Sequence, residues 1–260
     1  MNTETLTKEF LNEHFKTDKF TSDIIIDKYD EYEKQKLAVQ KDGNAIQYIE
    51  NPSEEFQKLA VQKDGYAIKY IENPSEDVQK LAVQETGYAI KYIENPSEEI
   101  QKLVVQKNGC VIRYIENPSE DIQKLAINQY GGYIQYIKNP SEDVKKLAVQ
   151  NDGYAIRYIE NPSEDVKKLA VENKGSAIEY IKNPSEEIQK IAVENSETAI
   201  KFIKDPSEEI IAEHLSKWGI EHISCEILND LLNKQSVDKA KKEDRTEIIN
   251  QICELLKSLA

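Results

Sequence analysis

Apolar side chains recur along this chain in two alternating groups. In residues 51–72, "NPSEEFQKLAVQKDGYAIKYIE", Phe56, Leu59 and Ala60 form one group, and Ala67, Ile68, Tyr70 and Ile71 form a second after "KDG". Steps of three and four residues put each group on one face of a helix, so the pattern predicts two short helices. Asn51 reads as the N-cap of the first, Pro52 as its first helical residue, and Glu54 as the acidic partner three positions on. Gly65 reads as the stop, in the left-handed C-terminal conformation. The next Asn-Pro ends the second helix, because a residue before proline is pushed out of the helical region. Neither helix is long enough to persist alone in water, so its burial must come from neighbours.

Those neighbours are copies of the same pattern. All eight prolines lie 22 residues apart, from Pro52 to Pro206, and eight of the nine glycines keep the same step from Gly43 to Gly219. Glu197 is the gap in the glycine ladder, and Gly132 alone is out of phase. A strict period of this length marks a stacked-repeat protein. Nine units start at residues 29, 51, 73, 95, 117, 139, 161, 183 and 205, and the end units are degenerate, as repeats facing water must be. The expected fold is all-α: an α-solenoid of about nine 22-residue helix-turn-helix repeats over 29–226. Residues 1–28, with Leu6, Phe10 and Leu11 on one face, read as an N-terminal helical cap. Residues 227–260 read as a C-terminal cap or docking helix, with Ile248, Ile249, Ile252, Leu255, Leu256 and Leu259 on a broad apolar face. A homodimer through 245–260 is the alternative use of that face.

The stretch "NPSEDVQKLAVQ" resembles the Asn-Pro-led helical repeats of the leucine-rich repeat variant family. "LAVQKDGYAIKYI" is similar to the repeats of an uncharacterised bacterial and viral domain with an Ala-Val-x-x-x-Gly-x-Ala-Leu-x-Tyr core. The resemblance covers residues 29–226. It implies an α-α solenoid with a binding role, and neither family supplies catalytic residues to carry over. The units here are shorter, so superhelix geometry does not transfer.

Charge narrows the function. The chain carries 32% charged residues and a formal charge of −14, which argues against direct nucleic-acid binding, since that needs an electropositive face. No signal-like N-terminal run and no stretch approaching 18 apolar residues is present, so the chain reads as soluble and cytoplasmic, with no membrane partner. Cys110, Cys225 and Cys253, odd in number and irregular in spacing, fit a reducing compartment.

Catalytic chemistry is sparse. His14, His214 and His222 are the only histidines. In "HLSKWGIEHISC", His222 and Cys225 could share a helix face, with His214 eight residues before His222, but no fourth ligand completes a zinc pattern. No phosphate loop, dinucleotide fingerprint or nucleophile elbow occurs. The expectation is a non-enzyme with no catalytic residues, metal or cofactor.

Differences between repeats then matter more than their common frame. One variable column follows the glycine: Asn44, Tyr66, Tyr88, Cys110, Gly132, Tyr154, Ser176 and Thr198. A second lies three residues on: Gln47, Lys69, Lys91, Arg113, Gln135, Arg157, Glu179 and Lys201. One helical turn apart, the two columns should share a face. Tyr66, Lys69, Tyr88, Lys91, Arg113, Tyr154 and Arg157 are the candidate partner-binding residues, because aromatic and cationic groups together suit an acidic peptide or stacked bases. Solvated residues that drift freely are the bland reading of the same columns.

Paired carboxylates such as Glu54 and Glu55, Glu76 and Asp77, and Glu98 and Glu99 form an acidic row in the first turns, where they suit the helix dipole. At the ends of units, Lys138, Lys182 and Lys204 replace glutamate. The expected function is a non-enzymatic protein–protein interaction scaffold that binds a protein or peptide along the repeat face. The alternative is an acidic inhibitor or decoy, of phage or mobile-element counter-defence type, that mimics nucleic acid or sequesters a nucleotide ligand.

Overall fold

A computed structural model describes residues 19–219 and residue 223. Among them every regular element is helical. The expected cap over residues 1–18, the docking helix at 227–260 and the candidate dimer segment at 245–260 lie outside the described residues. The chain divides into two compact units, residues 1–118 and 119–260. In the first, α-helices Lys19–Lys41, Glu54–Lys63, Glu76–Glu85 and Glu98–Lys107 alternate with six-residue 3-10 helices that open at Gly43, Gly65, Gly87 and Gly109. In the second, α-helices Glu120–Gln129, Glu142–Asn151, Glu164–Asn173, Glu186–Asn195 and Glu208–Trp218 alternate with 3-10 helices Gly131–Tyr136, Gly153–Tyr158, Gly175–Tyr180 and Ala199–Phe202. Each unit is a helical repeat stack, and the repeating element is α-helix, 3-10 helix, turn.

The second helix of each repeat is therefore of the 3-10 kind. Its bonds run from residue i+3 back to i, as in Ala67 N–H to Asp64 O at 2.8 Å and Ile71 N–H to Ile68 O at 3.0 Å. A 3-10 helix rises about 2.0 Å per residue against about 1.5 Å in an α-helix. Six residues thus span nearly as far as the ten-residue α-helix beside them, which lets a 22-residue unit close.

The cap positions differ from the sequence expectation. Asn51 is not the N-cap: it holds φ at +49°, as do Asn73, Asn95, Asn117, Asn139, Asn161, Asn183 and Asp205 within a few degrees. The N-cap is Ser53, whose hydroxyl accepts from the Phe56 N–H, and the helix opens at Glu54. Asparagine and aspartate tolerate the left-handed region better than other non-glycine residues, and the proline that follows disfavours the right-handed one. The side-chain amides of Gln57, Gln79, Gln101 and Gln189 each close the turn by donating to the carbonyl of the proline five residues back.

Gly65, conversely, is not left-handed; among the described glycines only Gly219 has positive φ, at +74°. Gly43, Gly65, Gly131, Gly153 and Gly175 are there for space, since a Cβ on each would run into a backbone carbonyl of the next repeat. Asp64 ends the α-helix and caps the 3-10 helix, its carboxylate accepting from the Tyr66 N–H. Where Glu197 breaks the ladder, the 3-10 helix shrinks to four residues, Ala199–Phe202.

The core of each unit is a column of small and branched side chains. Ala60, Val61, Ala67 and Ile68 are buried, and so are their equivalents Ala148, Val149, Ala155 and Ile156. A fully buried isoleucine or valine contributes about 1.5–3 kcal/mol. A ten-residue helix is marginal alone, so this burial between repeats decides whether it forms. Helix ends also borrow from the next repeat: Asn151 Nδ2 donates to Ile127 O at 3.0 Å, and Asn173 Nδ2 to Gln150 O at 2.8 Å. Trp218 Nε1 does the same for Val193 O at 2.6 Å.

Candidate functional site

The 3-10 helices carry the expected columns on an exposed face. Three residues complete one 3-10 turn, so side chains at i and i+3 eclipse. Gly65 and Ile68 point inward together, leaving Lys69 exposed and Tyr66 half-buried. Lys91, Arg113 and Arg157 are exposed in the same way.

In residues 1–118 the strip is built from contacts between successive repeats. The Lys91 ammonium lies over the Tyr66 ring at 5.4 Å and over Tyr92 at 4.7 Å. Tyr66 meets Tyr92 edge-on at 6.2 Å, and Tyr88 meets Tyr114 edge-on at 6.0 Å. Lys69 packs on Tyr70 at 4.6 Å and Arg113 on Tyr114 at 5.2 Å. The structure thus joins Tyr66 to Lys91 directly. Tyr88 and Arg113 both meet Tyr114, and Lys69 lies against Tyr70 rather than Tyr66 or Tyr88. The Tyr70 side chain, by hydrogen bonding, holds the Lys69 ammonium above the usual lysine range, and Tyr92 does the same for Lys91. Tyr88 also reaches Cys110 Sγ at 3.3 Å, and that contact raises its phenol above the usual range.

Residues 119–260 repeat the arrangement. Tyr154 meets Tyr180 edge-on at 5.9 Å, and Arg157 lies 4.7 Å from the Tyr158 ring and 6.0 Å from Tyr180. Lys174, from outside both expected columns, covers Tyr154 at 4.4 Å. The Tyr154 hydroxyl pairs with Ser176 Oγ at 2.7 Å.

The residues missed by the sequence reading are Tyr70, Tyr92, Tyr114, Tyr158 and Tyr180. They recur in every repeat and therefore read as scaffold. The signal was their chemistry: that column is always tyrosine or phenylalanine, never aliphatic. A position that only filled the core would accept isoleucine. Tyr92 is in fact 40% exposed.

One repeat departs from the rest. Gly132 stands where Tyr66 and Tyr154 stand, and Tyr130 folds over it, so that a Cβ on Gly132 would lie 2.5 Å from Tyr130 Cε1. The ring missing from the column is thus supplied from two residues earlier. Tyr130, Tyr133 and Tyr136 form a run, the first pair edge-on at 5.3 Å and the second stacked at 6.4 Å.

The acidic row is a ladder of pairs. Ser75 Oγ donates to Glu54 Oε1 at 2.8 Å and Ser97 Oγ to Glu76 Oε1 at 2.9 Å, while Ser163 Oγ donates to Glu142. Lys58 bridges Glu54 at 3.0 Å and Asp77 at 3.2 Å. Lys80 bridges Glu76 and Glu99, and Lys146 reaches Asp165 at 2.7 Å.

Among the described residues no group of three or more His, Cys, Asp and Glu is placed to hold a metal. His214 is fully buried, while His14, His222, Cys225 and Cys253 lie outside the described residues. No described helix is long and apolar enough to cross a membrane. No family model, curated protein or solved structure matches the chain.

Proposed function

We propose that this protein is a non-enzymatic, cytoplasmic interaction scaffold whose 3-10 face binds an acidic segment of a protein or peptide partner. One observation carries the reading. On a chain of formal charge −14, exposed Lys69, Lys91, Arg113 and Arg157 all lie against tyrosine rings on the same face of the repeat. Cations held on aromatic faces lose little side-chain freedom on binding, and tyrosine supplies contact area at low entropic cost. The likeness to leucine-rich repeat variant repeats points the same way, toward binding. The decoy reading draws less support, because first-turn carboxylates are engaged by lysines and serines of the same row.

The test is a tagged pull-down from lysate, with and without nuclease, identified by mass spectrometry and repeated with Lys69, Lys91, Arg113 and Arg157 all changed to Glu. A stoichiometric partner that survives nuclease and is lost with the charge-reversed chain is the expected result. A partner retained equally by both chains removes this face as the binding surface. Recovery of DNA-binding proteins that are released as salt rises would favour the decoy.

A further inference from the structure

Within residues 119–260 a depression of about 640 Å³ opens beside the strip, lined among others by Gln135, Lys138, Lys145, Tyr158, Glu160 and Asn161. Its size falls in the range of small-molecule sites, about 300–1,000 Å³. Two of these residues break the repeat pattern. Lys138, like Lys182 and Lys204, stands where other units have Glu50, Glu72, Glu94, Glu116 and Glu160. Lys145, like Lys167, stands where they have Gln57, Gln79, Gln101, Gln123 and Gln189. Across the Asn-Pro turn, seven residues apart, both columns hold lysine only at Lys138 and Lys145; the neighbouring turns pair Glu116 with Gln123, Glu160 with Lys167 and Lys182 with Gln189.

The exchange at 145 gives up a structural bond. Elsewhere the glutamine in this column ties the Asn-Pro turn through the proline carbonyl, as Gln79 does at 2.9 Å. Neither the Lys138 nor the Lys145 ammonium has a hydrogen bond or ion pair among the described residues, whereas Lys146 beside it is paired with Asp165. Two uncommitted ammonium groups thus face one depression that holds a single carboxylate, Glu160.

We propose that this depression binds the phosphate of a free, small phosphomonoester. Lysine binds phosphate as a point charge, and two lysines match the dianion that a phosphomonoester becomes above about pH 6. The Asn161 amide adds a neutral donor, as does the second N–H of Gln135, whose first donates to Gly132 O at 3.0 Å, and Tyr158 offers a ring edge and hydroxyl to the organic part. The site shares Tyr158 with the strip, but Lys138 and Lys145 are not among the residues changed in the partner-binding test, so either reading can fail without the other.

Phenyl phosphate is the probe, titrated into the full chain at low salt by calorimetry and phosphorus NMR. Saturable binding with a Kd of about 1 mM or tighter is expected, weakened about tenfold or more in the K138E/K145Q double variant. That variant restores the residues of the other units and regains the glutamine tie, so its fold is kept, which circular dichroism verifies. Lys182→Glu, in the same column but outside the depression, should bind as the unaltered chain does. No saturation by about 10 mM probe, or equal binding by the double variant, overturns the proposal. A phosphoserine peptide that binds far more tightly than phenyl phosphate overturns the assignment to a free small molecule.

Discussion

A Cβ placed on Gly65 would stand 2.5 Å from the carbonyl oxygen of Ala82, one repeat further along. No real Cβ tolerates that distance, so the glycine sets how closely successive repeats approach. Gly153 and the Ala170 carbonyl stand in the same relation, at 2.6 Å. Gly87 does not: its Cβ would meet only Val111 Cγ1, at 3.9 Å. The residue in register with Ala82 there is Val104, fully buried in a column held by alanine elsewhere, except at His214 in the last unit. Two added methyl groups hold the repeats apart and open room beside Gly87.

Gly65→Ala is therefore expected to lower stability by about 2–3 kcal/mol, as overpacking does. Gly87→Ala should change it by no more than about 1 kcal/mol, because the backbone there needs no positive φ. Urea denaturation midpoints of the two variants check this. With Val104→Ala added, Gly87→Ala should become costly; equal costs in both backgrounds would show that Val104 does not set the spacing.

Asn73 tests the left-handed turn. Its φ of +49° costs an ordinary L-residue about 1–2 kcal/mol. Asn73→Ala should lose about that much, and Asn73→Gly should lose little, since glycine occupies this region freely. Thermal melts of both variants decide, and equal losses would mean that the side-chain amide, not the backbone, matters.

The carboxylate–lysine ladder predicts the acid limb of stability. The Lys58 ammonium, with the Ser75 hydroxyl, holds Glu54 below the usual carboxylate range. Lys124 does so for Glu120, Lys167 for Glu164 and Lys146 for Asp165. A carboxyl group more acidic when folded adds stability above its unfolded pKa, and that contribution disappears as pH falls through the folded pKa. The melting temperature should hold level from about pH 8 to pH 5 and drop below about pH 4. Salt near 0.5 M should shrink the drop, as these groups are exposed and roughly half a nanometre of screening suffices. A melting temperature unchanged down to about pH 3 would show that the ladder contributes nothing.

Tyr130 and Gly132 should be coupled. Gly132→Ala alone is expected to cost about 1 kcal/mol or less, because the obstructing atoms belong to a tyrosine ring that can swing away. Tyr130→Asp restores the cap residue of Asp64 and Asp152 and frees that space. In that background Gly132→Ala should become neutral or stabilising. A double-mutant cycle with no interaction energy would show that the ring over Gly132 is incidental.

Much of the architecture could be read directly from the 22-residue step, because a repeat that cannot bury its own apolar face has to stack on copies of itself. The spacing of Phe56 and Ala60 marked the buried face of the first helix, where Leu59 is only half-buried and Val61 is the third buried residue, and the alternation of Tyr66 with Lys69 marked an exposed one. That reading gave Gly65 the left-handed backbone that Asn51 holds. Both residues favour turns, and composition cannot tell a glycine chosen for its φ from one chosen for the space beside it. That distinction depends on the carbonyl of Ala82, a residue from another repeat.

The sequence by itself determined the period, the all-helical class, the buried columns and the exposed cationic column, since these follow from local spacing and the need for burial. Only the tertiary structure decided that the second helix is 3-10, that Ser53 caps the first, and that Lys91 lies on rings from two different repeats. The last depends on distances between segments about one repeat apart in the chain, and the first two on backbone angles; a pattern of residue types carries neither.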